Sequence, residues 1–79
     1  MQIRKGDIVE VEFLDHIQAG AHPMGCTVYG RVYSTNKKAI TVDSWILRKA
    51  SKVVSEQNVE RFCIVRSAIE KVYKLKRAE

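Results

Sequence analysis

A short polar segment between two alternating runs carries the side chains of this sequence that are best suited to binding an anion. Asn36, Lys37 and Lys38 lie in the middle of "GRVYSTNKKAITVDSW", which begins at Gly30 and reads as a β-hairpin. Ammonium groups pair with phosphates, and an amide can read the edge of a nucleobase. The chemistry expected here is therefore recognition of a nucleic acid. The alternative is ordinary turn chemistry, because Asn tolerates turn conformations and lysines are well solvated in a turn.

The other reactive side chains do not form a recognisable catalytic or metal site. His16 follows Asp15 but lacks a recognisable nucleophile, and Asp43 and Ser44 are adjacent residues of a predicted strand, so they point to opposite faces. Three residues have side chains that can bind zinc: His16, His22 and Cys26. A structural zinc site needs four ligands in compact pairs, and a fourth is not evident. We expect a non-catalytic protein with no metal, no cofactor and no small-molecule substrate.

The composition is that of one small globular domain covering residues 1–79, with 46% hydrophobic and 29% charged residues. No apolar run approaches the ~18 residues needed to cross a bilayer. The opening residues, "MQIRKGDIVEV", lack the pattern of a signal peptide. We therefore expect a cytoplasmic protein without membrane contact, a description that also fits a viral or mobile-element product. In that compartment Cys26 and Cys63 are expected to be reduced thiols in the core.

The net charge of +5 is unevenly distributed along the chain. Residues 48–79 carry nine basic residues against four acidic ones, whereas the charges of residues 1–47 cancel. A basic surface on one side of a protein suits phosphate backbones. A solvated lysine face is the alternative reading of the same charges.

Alternation of apolar and polar residues predicts five short strands. In the first, "IVEVEFL", Val9, Val11 and Phe13 alternate with two glutamates, so one face is buried and the other is wet. The later strands are "CTVYGRVYS", "AITVDSWIL", "VERFCIVR" and, after a one-turn bend, "EKVYKLK". Residues 48–58 predict a loop or a distorted strand extension. A helix over residues 67–78 is the alternative to the last strand, although Val and Tyr favour sheets.

The predicted architecture is an all-β, strongly bent five-stranded antiparallel barrel without a clear N-terminal helix, since the strand pattern begins by Ile8. Gly30, inside the second strand, indicates a bend or a close backbone approach. The predicted core consists of Val9, Val11, Phe13, Val28, Val32, Ile40, Val42, Phe62 and Ile64. Tyr29, Tyr33 and Trp45 could stack on bases, as aromatic residues on sheet surfaces do. The alternative for these three is half-buried packing.

From Gly6 to Leu75 the chain resembles the Sm-like family of small barrels. A bent strand, a turn and a strand similar to the family's first motif contain Gly30, Val32, Ser34, Ile40, Val42 and Asp43. The stretch "FCIVRSAIEKVYKL" is similar to the second motif, which is a strand, a one-turn bend holding an Arg and a last short strand. Barrels of the Src-homology type share the same outline.

The resemblance implies a ring in which the turn residues of both motifs line a pore and hold single-stranded RNA, typically rich in uridine. The corresponding residues of this chain are Asn36, Lys37, Lys38 and Arg66. The family's first motif usually has an aromatic residue that stacks on a base and then an Asn. Here Lys38 and Ala39 fall nearest those positions, and Asn36 lies in the turn. Ser67 follows Arg66 where the family has a glycine.

The fourth strand carries apolar residues on both faces, which predicts self-association. If Phe62 and Ile64 face the core, Cys63 and Val65 face outward and require a cover. The resemblance implies pairing with the last strand of the next subunit, which gives a predicted subunit interface of Cys63, Val65, Val72, Tyr73 and Leu75. The expected function is a ring-forming module that binds single-stranded RNA. The alternative is an oligomeric protein-interaction or assembly module without nucleic-acid binding.

Overall fold

The computed structural model describes residues 2–15, 23–46, 59–76 and 78, and the predicted loop over residues 48–58 lies outside these ranges. Five strands and one 3₁₀ turn follow each other along the chain: β1 (Ile8–Asp15), β2 (Met24–Thr35), β3 (Ala39–Ile46), β4 (Val59–Val65), the 3₁₀ turn (Arg66–Ala68) and β5 (Ile69–Lys74). The five predicted strands are confirmed, and the last element is a strand rather than a helix. The described residues contain no helix that is long and apolar enough to cross a membrane.

The strands form one antiparallel sheet in the order β4-β3-β2-β1-β5. The all-β, five-stranded antiparallel prediction is therefore confirmed. Strands β4 and β5 occupy the two edges of this sheet. Because each edge strand has a neighbour on one side within the described ranges, closure of the sheet into a barrel stays a prediction.

Gly30 allows β2 and β3 to approach each other more closely than any side chain would permit. A Cβ atom added to Gly30 would lie 2.8 Å from the carbonyl carbon of Asp43 and closer still to its oxygen. The pairing between β2 and β3 also shifts its register between Val32 and Ser34, as at a β-bulge. Such bulges bend a strand and increase its twist. The close approach predicted at Gly30 is confirmed, and it lies directly before the site where β2 bends.

In the part of the chain that the structure describes, the hydrophobic core consists of aliphatic residues: Val9, Val11, Val28, Val32, Ile40, Val42 and Ile64. Two predicted core residues differ from this set. Phe13 is only partly buried. Phe62 is 41% exposed, although it lies opposite the buried Val42. Its side chain is on the expected side of β4, but an edge strand has a neighbour on one side only, so the ring is incompletely covered.

Both cysteines are free thiols, but they do not lie in the core. Cys26 is half-buried, and Cys63 is exposed on β4. The prediction of two core thiols was wrong for two different reasons. Cys63 alternates on β4 with the buried Ile64 and so faces away from the core. Cys26 lies on the same side of β2 as the buried Val28, but near the start of the strand, where it is only partly covered.

The N-terminal segment turns at Lys5 and Gly6 and is tied to β2 and β5. The Gly6 N–H donates to the Val32 carbonyl at 2.8 Å, and the Val32 N–H donates to the Asp7 carbonyl at 2.8 Å. The Asp7 carboxylate accepts from the Arg4 N–H at 2.8 Å and from Lys74 Nζ at 3.2 Å. Residues 2–7 contain no helix, as predicted. These bonds hold the start of the chain beside the end of β2.

Candidate nucleic-acid interface

The turn between β2 and β3 is shaped by the side chain of Asn36. Its Oδ1 accepts from the N–H groups of Lys38 at 2.7 Å and Ala39 at 2.9 Å. The Asn36 N–H in turn donates to the Ala39 carbonyl at 3.0 Å. An Asn side chain bonded to the backbone two or three residues later is a common device of tight turns. For the oxygen of Asn36, ordinary turn chemistry is therefore what the structure shows.

Arg66 joins this turn to the 3₁₀ turn, which is 30 residues away in the chain. Its Nε donates to the Asn36 carbonyl at 2.9 Å, and its Nη2 donates to Thr35 Oγ1 at 2.7 Å. Its backbone N–H donates to the Lys38 carbonyl at 2.7 Å. Arg66 is therefore a positioning residue, which fixes the backbone from which the two lysines project.

We call the two joined turns, residues 35–38 and 66–68, the turn end of the sheet. The structure brings together there the four predicted site residues: Asn36, Lys37, Lys38 and Arg66. All four are exposed. The turn end contains three basic residues and no acidic one. This local excess of positive charge favours an anion such as a phosphate.

The N-terminal segment adds two residues that sequence reasoning did not find. A depression of about 620 Å³ at the turn end is lined by Gln2, Ile3, Thr35, Asn36, Lys37 and Arg66. Gln2 and Ile3 reach it because Gly6 and Asp7 pair with Val32 on β2. No local motif announces this pairing, so only the three-dimensional structure reveals the contact.

The residues of the predicted subunit interface lie at both edges of the sheet. Cys63 is exposed, and the exposed fractions of Val65, Tyr73 and Leu75 are 54%, 41% and 38%. Val72 differs, because it pairs with Val11 and packs against the core from β5. Val72 therefore supports the fold, whereas the other four residues are available to a partner.

A groove runs beside β4, where the curvature of the sheet brings the end of β1 close to this edge. Its volume is about 410 Å³, and its apolar lining includes Phe13, Leu14, Cys63, Val65 and Ala68. Exposed apolar grooves of this kind commonly mark interaction sites. Together with the exposed Val65, the groove forms a continuous apolar surface at the β4 edge of the sheet.

The three aromatic residues considered for base stacking are on the surface. Tyr29 is 58% exposed, Tyr33 45% and Trp45 47%. Each of the three residues is therefore about half buried and leaves the rest of its surface in solvent, and stacking on bases stays a prediction.

Sequence reasoning also missed an ion pair that lies beside Tyr33. Arg61 Nε donates to Asp43 Oδ1 at 2.7 Å, and its Nη2 donates to Oδ2 at 3.2 Å. Asp43 is buried, and the hydrogen bond to its carboxylate raises the pKa of Arg61 above the ordinary value. Asp43 and Arg61 are direct partners in the β3–β4 pairing. A correct strand register is the signal that would have found this pair.

Within the described residues, no group of three or more His, Cys, Asp or Glu side chains could hold a metal ion. His16 and His22 lie outside those residues. Comparison of the chain with protein-family models, with curated proteins and with solved structures finds no match. The resemblance to the Sm-like family therefore stays a prediction that depends on the two motifs.

Proposed function

We propose that this chain is a non-catalytic, Sm-like module that binds single-stranded RNA at the turn end of its sheet. The observation that carries the proposal is the set of three hydrogen bonds by which Arg66 joins the two turns. They fix the backbone on which Lys37 and Lys38 stand. Cations that stand on a fixed backbone bind a phosphate with less loss of backbone freedom than cations on a mobile turn.

The turn end offers contacts to bases as well as to phosphates. Proteins recognise single-stranded RNA through charged groups along the backbone and polar or stacking groups at the bases. The side-chain oxygen of Asn36 holds the turn. These two bonds do not use its amide nitrogen, which can therefore donate to a base edge. Lys37 lines the depression together with Gln2, whose amide is a second group able to read a base.

We further propose that the subunits form a closed ring through pairing of β4 with β5 of the next subunit. Both strands are edges of the sheet and carry exposed apolar residues. A head-to-tail contact between two different edges produces a ring when the rotation closes. Repetition of the turn end around a ring lets one RNA strand contact several sites, and such avidity compensates for the few charges of each site.

The RNA-binding proposal is tested by fluorescence anisotropy with a labelled uridine oligomer. The double variant Lys37→Glu/Lys38→Glu should bind at least about tenfold more weakly, and the affinity of the wild-type protein should fall as salt rises through counterion release. Lys71→Glu/Lys76→Glu is the matched control, because it makes the same two charge changes at exposed positions on and just beyond β5. Affinity that depends neither on salt nor on the turn lysines would refute the proposed site.

The ring proposal is tested by light scattering of the wild-type protein and of Val65→Asp. A charge at this exposed edge position should dissociate the oligomer and leave the unfolding midpoint of the subunit nearly unchanged. Met24→Asp introduces the same charge at a residue of similar exposure, 53% against 54%, on an interior strand. It should leave the oligomer intact. A stable wild-type monomer at micromolar concentration would contradict the ring.

Two observations favour the alternative of a protein-interaction or assembly module. The Arg66 guanidinium, which the resemblance assigns to RNA, is engaged with Thr35 and Asn36, and the groove beside β4 is apolar. The same two experiments separate the functions. An intact oligomer that binds neither RNA nor DNA oligomers would establish the protein-interaction function instead.

A further inference from the structure

The aromatic residues of this protein are distributed in an unusual way for a small domain. Among the described residues, the buried core contains only Val and Ile, with Phe13 partly buried against it, whereas the three tyrosines and the single tryptophan are exposed by between 41% and 58%. Tyr and Trp bury large areas and commonly dominate cores and interfaces. When such rings are left on a surface together, they indicate a ligand or a partner.

Tyr29 and Tyr33 lie on the outward face of β2, and Trp45 is exposed near the end of the neighbouring strand β3. Tyr29 and Tyr33 alternate on β2 with the buried Val28 and Val32. Ser44, the residue before Trp45, donates its hydroxyl to the Tyr29 carbonyl at 3.0 Å, which brings this part of β3 beside Tyr29. We call this set, together with Arg31 and Arg61, the aromatic face.

Arg61 is held flat against Tyr33 at one end of the aromatic face. Its guanidinium carbon lies 3.5 Å from the centre of the Tyr33 ring. The two hydrogen bonds to Asp43 fix the orientation of the same guanidinium, which is 38% exposed. A planar guanidinium stacks on aromatic rings through either of its faces. One face covers Tyr33, and the opposite face is a ready platform for a nucleobase.

The aromatic face adjoins the turn end through the N-terminal segment. Gln2 and Ile3 line the depression at the turn end, and Lys5 Nζ lies 5.8 Å from the centre of the Tyr33 ring. A strand that leaves the turn end over residues 2–5 therefore meets Lys5 and then the stacked pair of Tyr33 and Arg61.

We propose that the aromatic face is a second contact surface for single-stranded nucleic acid, on which bases stack on Tyr29, Trp45 and the stacked pair of Arg61 and Tyr33. This inference takes its ligand class from the proposed function and extends it to longer strands. Charge complementarity at the end of this face that adjoins the turn end supports a nucleic acid as the occupant. Lys5 and Arg31 are exposed near Tyr33, whereas Arg61 is neutralised by Asp43 and Glu10 lies opposite Tyr29. Phosphates are therefore favoured at the Tyr33 end.

The test uses Trp45, which is the only tryptophan of the chain. Its fluorescence is followed during titration with unlabelled uridine and adenosine RNA oligomers, and with the matching DNA, each in a short and a long form. The long oligomer should quench Trp45. Tyr29→Ala should weaken its binding by about fivefold or more, as expected for the loss of one stacked base. Tyr29→Phe keeps the ring and should bind like the wild type. Because Tyr29 is 58% exposed, neither change should unfold the protein.

The outcomes separate this inference from the proposed function. Unchanged Trp45 fluorescence with equal affinity of wild type and Tyr29→Ala would overturn the aromatic face and leave the turn end standing. Quenching and Tyr29 dependence that persist in Lys37→Glu/Lys38→Glu would support the aromatic face and refute the turn end. A Tyr29→Ala variant that changes the oligomeric state but not nucleic-acid binding would show a protein contact and overturn the inference. Failure of every oligomer to bind would refute both.

Discussion

The turn end and the aromatic face are neighbouring surfaces that differ in how far the fold itself uses their side chains. At the turn end, polar groups are used largely for internal bonding, since Asn36 shapes one turn and Arg66 ties it to the other. On the aromatic face, Tyr29 and Trp45 leave roughly half of their area in solvent. The polar surface is organised by its own hydrogen bonds, whereas the aromatic surface carries apolar area that the fold does not use.

This difference shows which residues the fold requires and which it leaves to a ligand. Removal of a group that holds backbone should affect both shape and binding. Removal of an exposed ring should affect binding alone. Substitutions therefore separate residues that hold the backbone from residues that only contact a ligand, and one substitution should abolish both surfaces.

The largest effect is expected from Gly30→Ala. The added Cβ would collide with the backbone of Asp43, and a backbone carbonyl cannot rotate away as a side chain can. We expect a loss of more than ~3 kcal/mol in unfolding free energy, the upper end for overpacked sites, so both surfaces should disappear together. Gly25→Ala on the same strand is the control, because its Cβ meets nothing within 4 Å. Equal stability of the two variants in chemical denaturation would contradict the close approach.

The next largest effect is the loss of unfolding free energy on truncation of Ile40 or Phe62, which both lie on the core side of the sheet. Ile40 is fully buried one residue after the start of β3, whereas Phe62 is 41% exposed. Ile40→Ala should cost ~2–5 kcal/mol and should loosen the turn end beside it. Phe62→Ala should cost less than ~3 kcal/mol, because a fully buried Phe loses about 3–5. A larger loss at Phe62 than at Ile40 would show that β4 is covered within the subunit.

Arg66 tests whether the turn end depends on shape or on charge. Arg66→Lys keeps the positive charge but cannot bond Thr35 and Asn36 with a planar fork. We expect Arg66→Lys to weaken RNA binding several-fold, nearly as much as Arg66→Ala, because both disrupt the side-chain bonds to Thr35 and Asn36 in the turn that carries Lys37 and Lys38. Anisotropy and thermal unfolding are measured on the same samples. If Arg66→Lys binds RNA like the wild type, charge alone suffices and Arg66 is not a positioning residue.

The smallest effect concerns acid stability at Asp7. The backbone N–H of Arg4, and then the Lys74 ammonium, hold the pKa of Asp7 below its ordinary value of 3.8. Stabilisation by this group is therefore present above that value and is lost as the pH falls through the lower pKa of the folded state. Asp7→Asn should lower the urea midpoint at neutral pH and reduce its acid dependence below pH 3.8. Lys74→Gln, which removes the weaker contributor, should do so less. An unchanged pH profile in Asp7→Asn would refute this assignment.

The strands were predictable from sequence because period-two alternation is a local property of the chain. Alternation puts Val9 and Val11 on one side of β1, and Val28 and Val32 on one side of β2. All four are on central strands, so their burial follows from their positions in the sequence. Phe62 obeys the same alternation and was still misjudged. Its burial depends on whether β4 has a neighbour on its far side, which is a property of the whole sheet.

The grouping at the turn end was predicted, whereas its internal bonding was not. Hairpin sequence and motif resemblance together place Lys37, Lys38 and Arg66 in the two turns. The use of Arg66 as a tie depends on the distance between those turns, and the pairing of Asp43 with Arg61 depends on strand register. Neither quantity can be read from the spacing of residues along the chain.

The most direct test of the account is photo-crosslinking of the wild-type protein to a uridine oligomer that carries 4-thiouridine, followed by mass spectrometry of the crosslinked peptides. We expect crosslinks within residues 35–38 or 66–68. In Lys37→Glu/Lys38→Glu their yield should fall sharply, whereas Lys71→Glu/Lys76→Glu should crosslink like the wild type. Crosslinks confined to other parts of the chain, or equal yields in all three proteins, would contradict RNA binding at the turn end.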